Sequence, residues 1–284
     1  MSPDTAPVRR ALPALALLLL AVPAAPALAA PPDDALGATA TGRAEAWLTR
    51  DGDRRVLVYR ASPRSTPRTI AVRLPARSSA VPREDGDTLA IGTDAQGRRV
   101  IVVAGARGLV ATRVSGRARL RRVGGSTARD THPSVMRGTY AAARFGPGDR
   151  SSVVALRNGR ASALWDNRRS GTAQGWYAFD TAIGPDRSVL FTGRRDGAAN
   201  GSAGAFVVRP GQAVRRVVDN PFGDTRNGDT WIEQRSPRGT RVTVASTSFV
   251  ESDDDDAAAA AAPVRHVVFA LPSGRRVRST TTTP

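Results

Sequence analysis

Short runs of apolar residues alternate along the chain with turns rich in Gly, Pro and Asp. Apolar runs of this kind, enriched in β-branched residues and bounded by turn residues, are typical of β-strands. Helical periodicity, with apolar positions three and four residues apart, is almost absent. The alanine run 257–262 is interpreted as part of a loop. The pattern therefore predicts an all-β chain.

One turn-and-strand unit recurs five times. In each copy a turn of Gly, Pro or Asp leads into a strand of Val, Ile, Leu or Phe, and one valine anchors the alignment. The anchors are Val56, Val100, Val153, Val189 and Val242, and neighbouring anchors lie 36 to 53 residues apart. A four-stranded propeller blade has a period of about 40–50 residues. The repeat predicts a β-propeller of five or six four-stranded antiparallel blades.

The predicted propeller is a single domain over 43–284. Third strands alternate apolar and polar residues, and fourth strands are basic, as exposed edges should be. No fourth strand is recognisable in blade three after Trp165, and blade five carries an acidic insertion, 251–258, between its second and third strands. The segment 38–48 is a candidate to pair with the last blade and close the ring. The predicted blades are 43–80, 87–123, 131–168, 176–218 and 228–279, with first strands at 45–48, 88–91, 139–143, 176–179 and 230–233.

Residues 1–29 have the features of a signal peptide. Arg9 and Arg10 precede an apolar run, and Ala27-Leu28-Ala29 supplies the small residues of a cleavage site. The shortness of the run and its prolines argue against a membrane-spanning helix. We expect export with cleavage near Ala29, a flexible leader over 30–42 and no transmembrane segment afterwards. The arginine pair leaves the twin-arginine route open beside the general one.

The net charge of the chain indicates what kind of partner to expect. The net charge is +17, every one of the 42 basic residues is Arg, and there is no Cys. A secreted chain without disulfides must be held together by packing and strand pairing. Excess positive charge favours contact with acidic polymers or anionic surfaces. Outside a cell these are wall polymers or lipid headgroups, so no specific nucleic acid is expected, and we expect a monomer.

Candidate chemistry is sparse. With two His and no Cys a zinc site of those ligands cannot be built within one chain, and no G-x-S-x-G nucleophile motif occurs. The acidic run 253–256 leaves a Ca²⁺ site open, although a solvated loop explains it as well. We assign no catalytic residue, metal ligand or cofactor. The candidates for ligand binding at a central channel, chosen because they lie on or beside first strands, are Asp130, His132, Asp180, Asp229, Trp231 and Glu233.

The segment Thr131-His-Pro-Ser-Val, followed by Gly138 and a strand from Tyr140, resembles the TolB-type (WD40-like) family of propeller repeats. Blades of that family open with a Pro-Ser pair and turn through Ser-Pro-Asp-Gly, to which 236–239 and 184–186 are similar. The resemblance covers 43–279 and extends to exported members from high-GC Gram-positive bacteria. It implies a non-catalytic propeller used as an interaction platform, with no catalytic residues to carry over.

These observations predict a secreted propeller that acts as a protein- or polymer-binding scaffold at the cell envelope. Its partner would be an envelope protein or an anionic polymer. The alternative is a hydrolase or lyase that acts on an extracellular glycan through carboxylates at the channel, and a third hypothesis is a sensor for an anionic glycan. Convergence of the candidate acids with His132 in one pocket would favour the enzyme.

Overall fold

The computed structural model describes residues 35–71, 73–80, 88–115, 119–168, 175–195, 202–218, 227–249 and 263–282. Within these ranges the chain forms β-strands and no helix, which confirms the all-β prediction. The predicted signal peptide and the acidic insertion of blade five lie outside the described residues.

The described strands fall into groups of four consecutive strands, here called units one to five. Units two, three and four are separate four-stranded sheets, and units one and five share an eight-stranded sheet. Unit one contains β1 (Gly37–Thr41), β2 (Ala44–Asp51), β3 (Arg54–Arg60) and β4 (Arg68–Ala71). Unit two contains β5 (Leu89–Thr93), β6 (Arg99–Val103), β7 (Val110–Arg113) and β8 (Arg121–Arg122). Unit three contains β9 (Asp130–Met136), β10 (Thr139–Phe145), β11 (Ser151–Arg157) and β12 (Arg160–Asp166). Unit four contains β13 (Tyr177–Ile183), β14 (Val189–Arg195), β15 (Ser202–Val208) and β16 (Arg215–Val218). Unit five contains β17 (Asn227–Arg235), β18 (Arg241–Phe249), β19 (Val264–Ala270) and β20 (Arg275–Thr282). Neighbouring strands within each unit are antiparallel.

Strand β1 joins the first unit to the last. It pairs antiparallel with β2 and parallel with β17, where Thr41 lies opposite Arg235. The amide of Gly42 also donates to the Arg235 carbonyl at 3.3 Å. The flexible leader predicted over 30–42 is therefore wrong for 37–41, while the pairing predicted between 38–48 and the last unit is confirmed.

Units one and three begin one strand earlier than predicted. Val56 lies on β3 and Val153 on β11, which are third strands, whereas the other three anchor valines lie on second strands. The strands predicted as first at 45–48 and 139–143 are therefore second strands. This shift explains the uneven spacing of the anchors. It also gives unit three a fourth strand, β12, so the prediction that this blade lacks one is wrong.

Strand β9 was difficult to recognise because Pro133 lies within it. Its neighbour His132 has a positive φ of 47°, and the β9–β10 register shifts between Ala141 and Ala143. Strand β9 is at the edge of its sheet, with β10 as its one hydrogen-bonded neighbour strand. Proline is tolerated there because its missing N–H would face away from the ladder.

The core lies between successive units. Along β6, Ile101 and Val103 pack into a cluster with unit one, while Val100 and Val102 pack into a cluster with unit three. Further clusters join units three and four and units four and five. Because a second strand is covered on both faces, its sequence is a continuous apolar run instead of an alternating one.

The first strands pack against one another in order. Contacts join β1 to β5, β5 to β9, β9 to β13, and β13 to β17. One approach is close enough to require glycine, since a Cβ on Gly92 of β5 would lie 1.8 Å from the Val135 carbonyl oxygen of β9. These strands carry most of the residues predicted to form the site.

Candidate functional site

Two predicted site residues meet where β9 packs against β13. His132 Nδ1 lies 2.9 Å from Asp180 Oδ1, and the two side chains are 15% and 25% exposed. The second oxygen of Asp180 accepts the amide of Ile232 on β17 at 2.9 Å. Asp180 therefore connects units three, four and five.

The backbone of His132 extends this connection to unit two. Its amide donates to Thr88 Oγ1 at 2.8 Å, just before β5. Its carbonyl accepts the hydroxyl of Thr181 on β13 at 2.7 Å. The polar start of β9 thus binds both neighbouring units, and these interactions account for the positions of both His132 and Asp180.

Asp180 is held in its charged form. Burial alone would raise its pKa, but the hydrogen bond and charge of His132, the charge of Arg235 and the amide of Ile232 lower the pKa below its ordinary value. Arg235 is itself fixed by two bonds to the Thr181 carbonyl, from Nε at 3.1 Å and Nη2 at 2.7 Å. A carboxylate with a lowered pKa is a poor proton donor at neutral pH, because it is already ionised.

Asp130 lies at the start of β9 and is paired within its own unit. Arg144 binds it through Nε to Oδ1 at 2.6 Å and Nη2 to Oδ2 at 3.0 Å. Oδ2 also accepts the amide of Thr127 at 2.9 Å. These bonds occupy both carboxylate oxygens of Asp130, and its side chain is fully buried.

The remaining candidates lie on β17. Glu233 Oε2 is 2.9 Å from His266 Nδ1, on a more exposed part of unit five. Trp231 is half-buried and lies opposite Ala245 in the ladder. Asp229 lies opposite Thr247, and its side chain is outside the described residues. The structure thus brings His132 and Asp180 together, while Asp130 and Glu233 bind other partners. Ligand binding by these six residues stays a prediction.

The space at the centre of the first strands is small. A cavity of about 10 Å³ there is lined from all five units, by Thr41, Ile91, Ser134, Ile183 and Arg235 among others. That volume suffices for about one water molecule. None of the described candidate side chains lines this cavity.

Larger clefts lie between the outer parts of successive units, and all are lined by arginine. Cleft one, between units two and three, has a volume of 370 Å³. Cleft two, between units three and four, has 470 Å³, and cleft three, between units four and five, has 390 Å³. Their arginines are Arg113, Arg119, Arg121, Arg122 and Arg157 in cleft one, Arg157, Arg160 and Arg187 in cleft two, and Arg209 and Arg215 in cleft three.

Some of these arginines are fixed by the protein and others are not. Arg113 Nε donates to Asp94 Oδ2 at 3.2 Å, and in cleft three Arg209 and Arg215 donate to backbone carbonyls of the β19–β20 turn. Other side chains form no hydrogen bond or ion pair with any described residue. These are Arg119, Arg121, Arg157, Arg160 and Arg187. The clefts could not be recognised from the sequence, because the residues that line each cleft come from different repeats.

Within the described segments, no three acidic, His or Cys side chains gather closely enough to hold a metal ion. The same segments contain no helix with the length and apolarity needed to cross a membrane.

No protein-family model matches the chain, and no curated protein sequence matches it. Among solved structures, a puromycin hydrolase is similar over 84% of this chain and 46% of its own, with 15% identity and a TM-score of 0.50. A puromycin-hydrolyzing peptidase from Mycobacterium tuberculosis is similar over 84% of this chain and 44% of its own, with 10% identity and a TM-score of 0.49. An oligogalacturonate lyase in complex with manganese is similar over 84% and 62%, with 8% identity and a TM-score of 0.45. The chain spans less than half the length of the first two. Identities this low bear on the fold alone, and the likeness to puromycin hydrolase is consistent with a β-propeller.

Proposed function

We propose that this protein is a secreted, non-catalytic β-propeller that binds an anionic polymer at the cell envelope. The observation that carries the proposal is the series of three arginine-lined clefts between successive units. Arginine side chains that lie near one another without counter-charges repel one another, which raises the free energy of the folded chain. An anionic ligand would reduce this repulsion. Secretion rests on the signal-peptide pattern of residues 1–29.

In this proposal the five units are the blades of one closed ring. Three observations support it: β1 pairs with β17, the first strands contact one another in order, and the small central cavity has lining from every unit. The TolB-type resemblance supports the same arrangement through the Pro133-Ser134 pair within β9.

A polymer is favoured over a small ion because the clefts follow one another along the outer parts of the units. Arg157 and Asn158 line both cleft one and cleft two. Pro210 lines cleft two, and its neighbour Arg209 lines cleft three. A chain with one anionic group per repeat would engage several clefts at once and gain from multivalency.

The alternative of a glycan hydrolase or lyase has less support. It requires carboxylates available at the channel, and the described candidates Asp130, Asp180 and Glu233 are engaged by Arg144, by His132 and by His266.

The test is binding of the mature chain to a polyuronate and to a poly(glycerol phosphate), with neutral dextran as the control polymer. We expect retention on an anionic polymer that weakens steeply as salt screens the arginines. No retention on either anionic polymer at low ionic strength would refute the proposal. Release of new chain ends from the polyuronate during incubation would instead favour the enzyme.

A further inference from the structure

Cleft one has the shape and lining of a specific site. Its volume of 370 Å³ lies within the range of small-molecule pockets. Its lining includes the buried apolar side chains Val100, Ala111 and Leu156 of the middle strands, with the half-buried ring of Tyr140 beside them. Polar groups come from the β5–β6 turn, from β7 and β8, and from the β11–β12 turn. An apolar wall with a few polar groups suits a ligand that has both a carbon face and charged or hydroxyl groups.

Cleft one is lined by more arginine side chains than carboxylates. Asp94 is the acid that lines it, and its carboxylate is engaged by Arg98 and Arg113 and by the amides of Gln96 and Arg98. Arg119, Arg121 and Arg157 are left without a partner among the described residues. Three unpaired guanidinium groups around one cleft provide donors for a carboxylate, which arginine binds in a bidentate manner.

Tyr140 adds a polar group that distinguishes this cleft from the other two. Its ring is half-buried on β10, and its hydroxyl forms no hydrogen bond with a described residue. Burial, and secondarily the charge of Asp94, raise the pKa of Tyr140. The phenol therefore remains protonated at neutral pH, so it can donate to an anion or to a sugar hydroxyl.

We propose that cleft one binds a hexuronate unit, a pyranose ring that bears a carboxylate. The carboxylate is bound by Arg121 and Arg157, the carbon face of the ring lies on the apolar wall, and Tyr140 donates to a ring substituent. A polyol phosphate has no ring to cover this wall, so a uronate is preferred. The inference rests on the proposed function and names the chemistry of the repeating unit of the polymer.

The experiment is a titration of the mature chain with galacturonate and glucuronate, followed by calorimetry or NMR, with glucose and glycerol phosphate as comparison ligands. We expect a uronate to bind and glucose not to. Arg157→Gln should weaken uronate binding at least about tenfold, and Tyr140→Phe about threefold to tenfold. Arg278→Gln is the matched control, because Arg278 is an exposed arginine on β20 that lines none of the three clefts.

Three results would overturn the inference. They are absence of uronate binding, tighter binding of glycerol phosphate than of either uronate, and equal losses in Arg157→Gln and Arg278→Gln. Tyr140→Phe retains the ring, and circular dichroism of each variant verifies that it is folded. If the polymers are retained while no monomer binds, this inference fails and the proposed function stands. If the polymers are not retained either, both fail.

Discussion

Asp130 and Asp180 occupy similar places in the sequence, since each precedes a threonine on a first strand. Their environments differ because of their ladders. Asp130 lies opposite Arg144 within the β9–β10 register and is neutralised by it. Asp180 lies where the β13–β14 register shifts, between Ala178 and Thr181, and it binds groups of neighbouring units instead. At the residue scale, strand register decides which acid supports one unit and which connects several.

Asp130→Ala should destabilise the protein by about 3 kcal/mol, since it removes one partner of a buried ion pair and leaves Arg144 without its counter-charge. Urea unfolding at neutral pH measures the loss. Asp51→Ala, at the exposed end of β2, is the control and should change stability by less than about 0.5 kcal/mol. Equal effects of the two substitutions would contradict the structural role of Asp130.

Asp180→Asn should lower stability by about 2 kcal/mol at pH 7, the scale of hydrogen bonds to a charged group. The pKa of Asp180 is lowered in the folded state. Its contribution is therefore present above the unfolded value, near pH 4, and is lost as the pH falls through the folded value. Urea unfolding at pH 7 and at pH 3 should thus give a difference between wild type and Asp180→Asn that shrinks with acidification. A difference that is larger at pH 3 than at pH 7 would contradict a lowered pKa of Asp180 in the folded state.

At the level of strands, the sequence was sufficient for the apolar second and third strands and for the first strands β5, β13 and β17, but not for β1 and β9, the first strands of units one and three. Val100 and Val189 marked their strands because both faces of a middle strand are buried. β1 was missed because Gly37-Ala-Thr-Ala-Thr has no large apolar residue. β9 was missed because Pro133 resembles a turn residue. The clefts could not be predicted, since Arg121 and Arg157 line the same cleft only because two units pack together.

Gly92→Ala should disrupt the packing of β5 on β9, since the new Cβ would lie 1.8 Å from the Val135 carbonyl oxygen. Backbone atoms cannot move aside as a flexible side chain can, so we expect a loss of at least about 2 kcal/mol. Thermal unfolding measures it. Gly105→Ala is the comparison, because its Cβ would meet the Gly108 carbonyl oxygen at 3.3 Å. If Gly105→Ala is the more damaging substitution, the close approach of β5 to β9 is not as described.

At the scale of the whole molecule, the sheets are held by layers of packed side chains between units, and the first and last units also share a ladder. Trp165 of unit three illustrates the layers, since its ring centroid lies 4.9 Å from that of Phe191 in unit four, which in turn stacks on Phe206 of the same unit at 5.2 Å. Between units one and five the link includes backbone pairing of Thr41 with Arg235. Removal of β1 should therefore lower the stability of the molecule, although β1 buries little apolar surface.

A chain that begins at Arg43, and so lacks β1, should lose this link. It also loses the bond from Thr41 Oγ1 to the Ile91 carbonyl at 3.2 Å, which joins β1 to unit two. We expect a Tm lower by about 10 °C than that of a chain beginning at Ala35. The uncovered edges of β2 and β17 should also promote self-association, because unpaired strand edges are templates for pairing. Thermal unfolding and size-exclusion chromatography test both effects. The full-length mature chain is the second control. Identical Tm and elution for the chains beginning at Ala35 and Arg43 would mean that β1 does not close the ring.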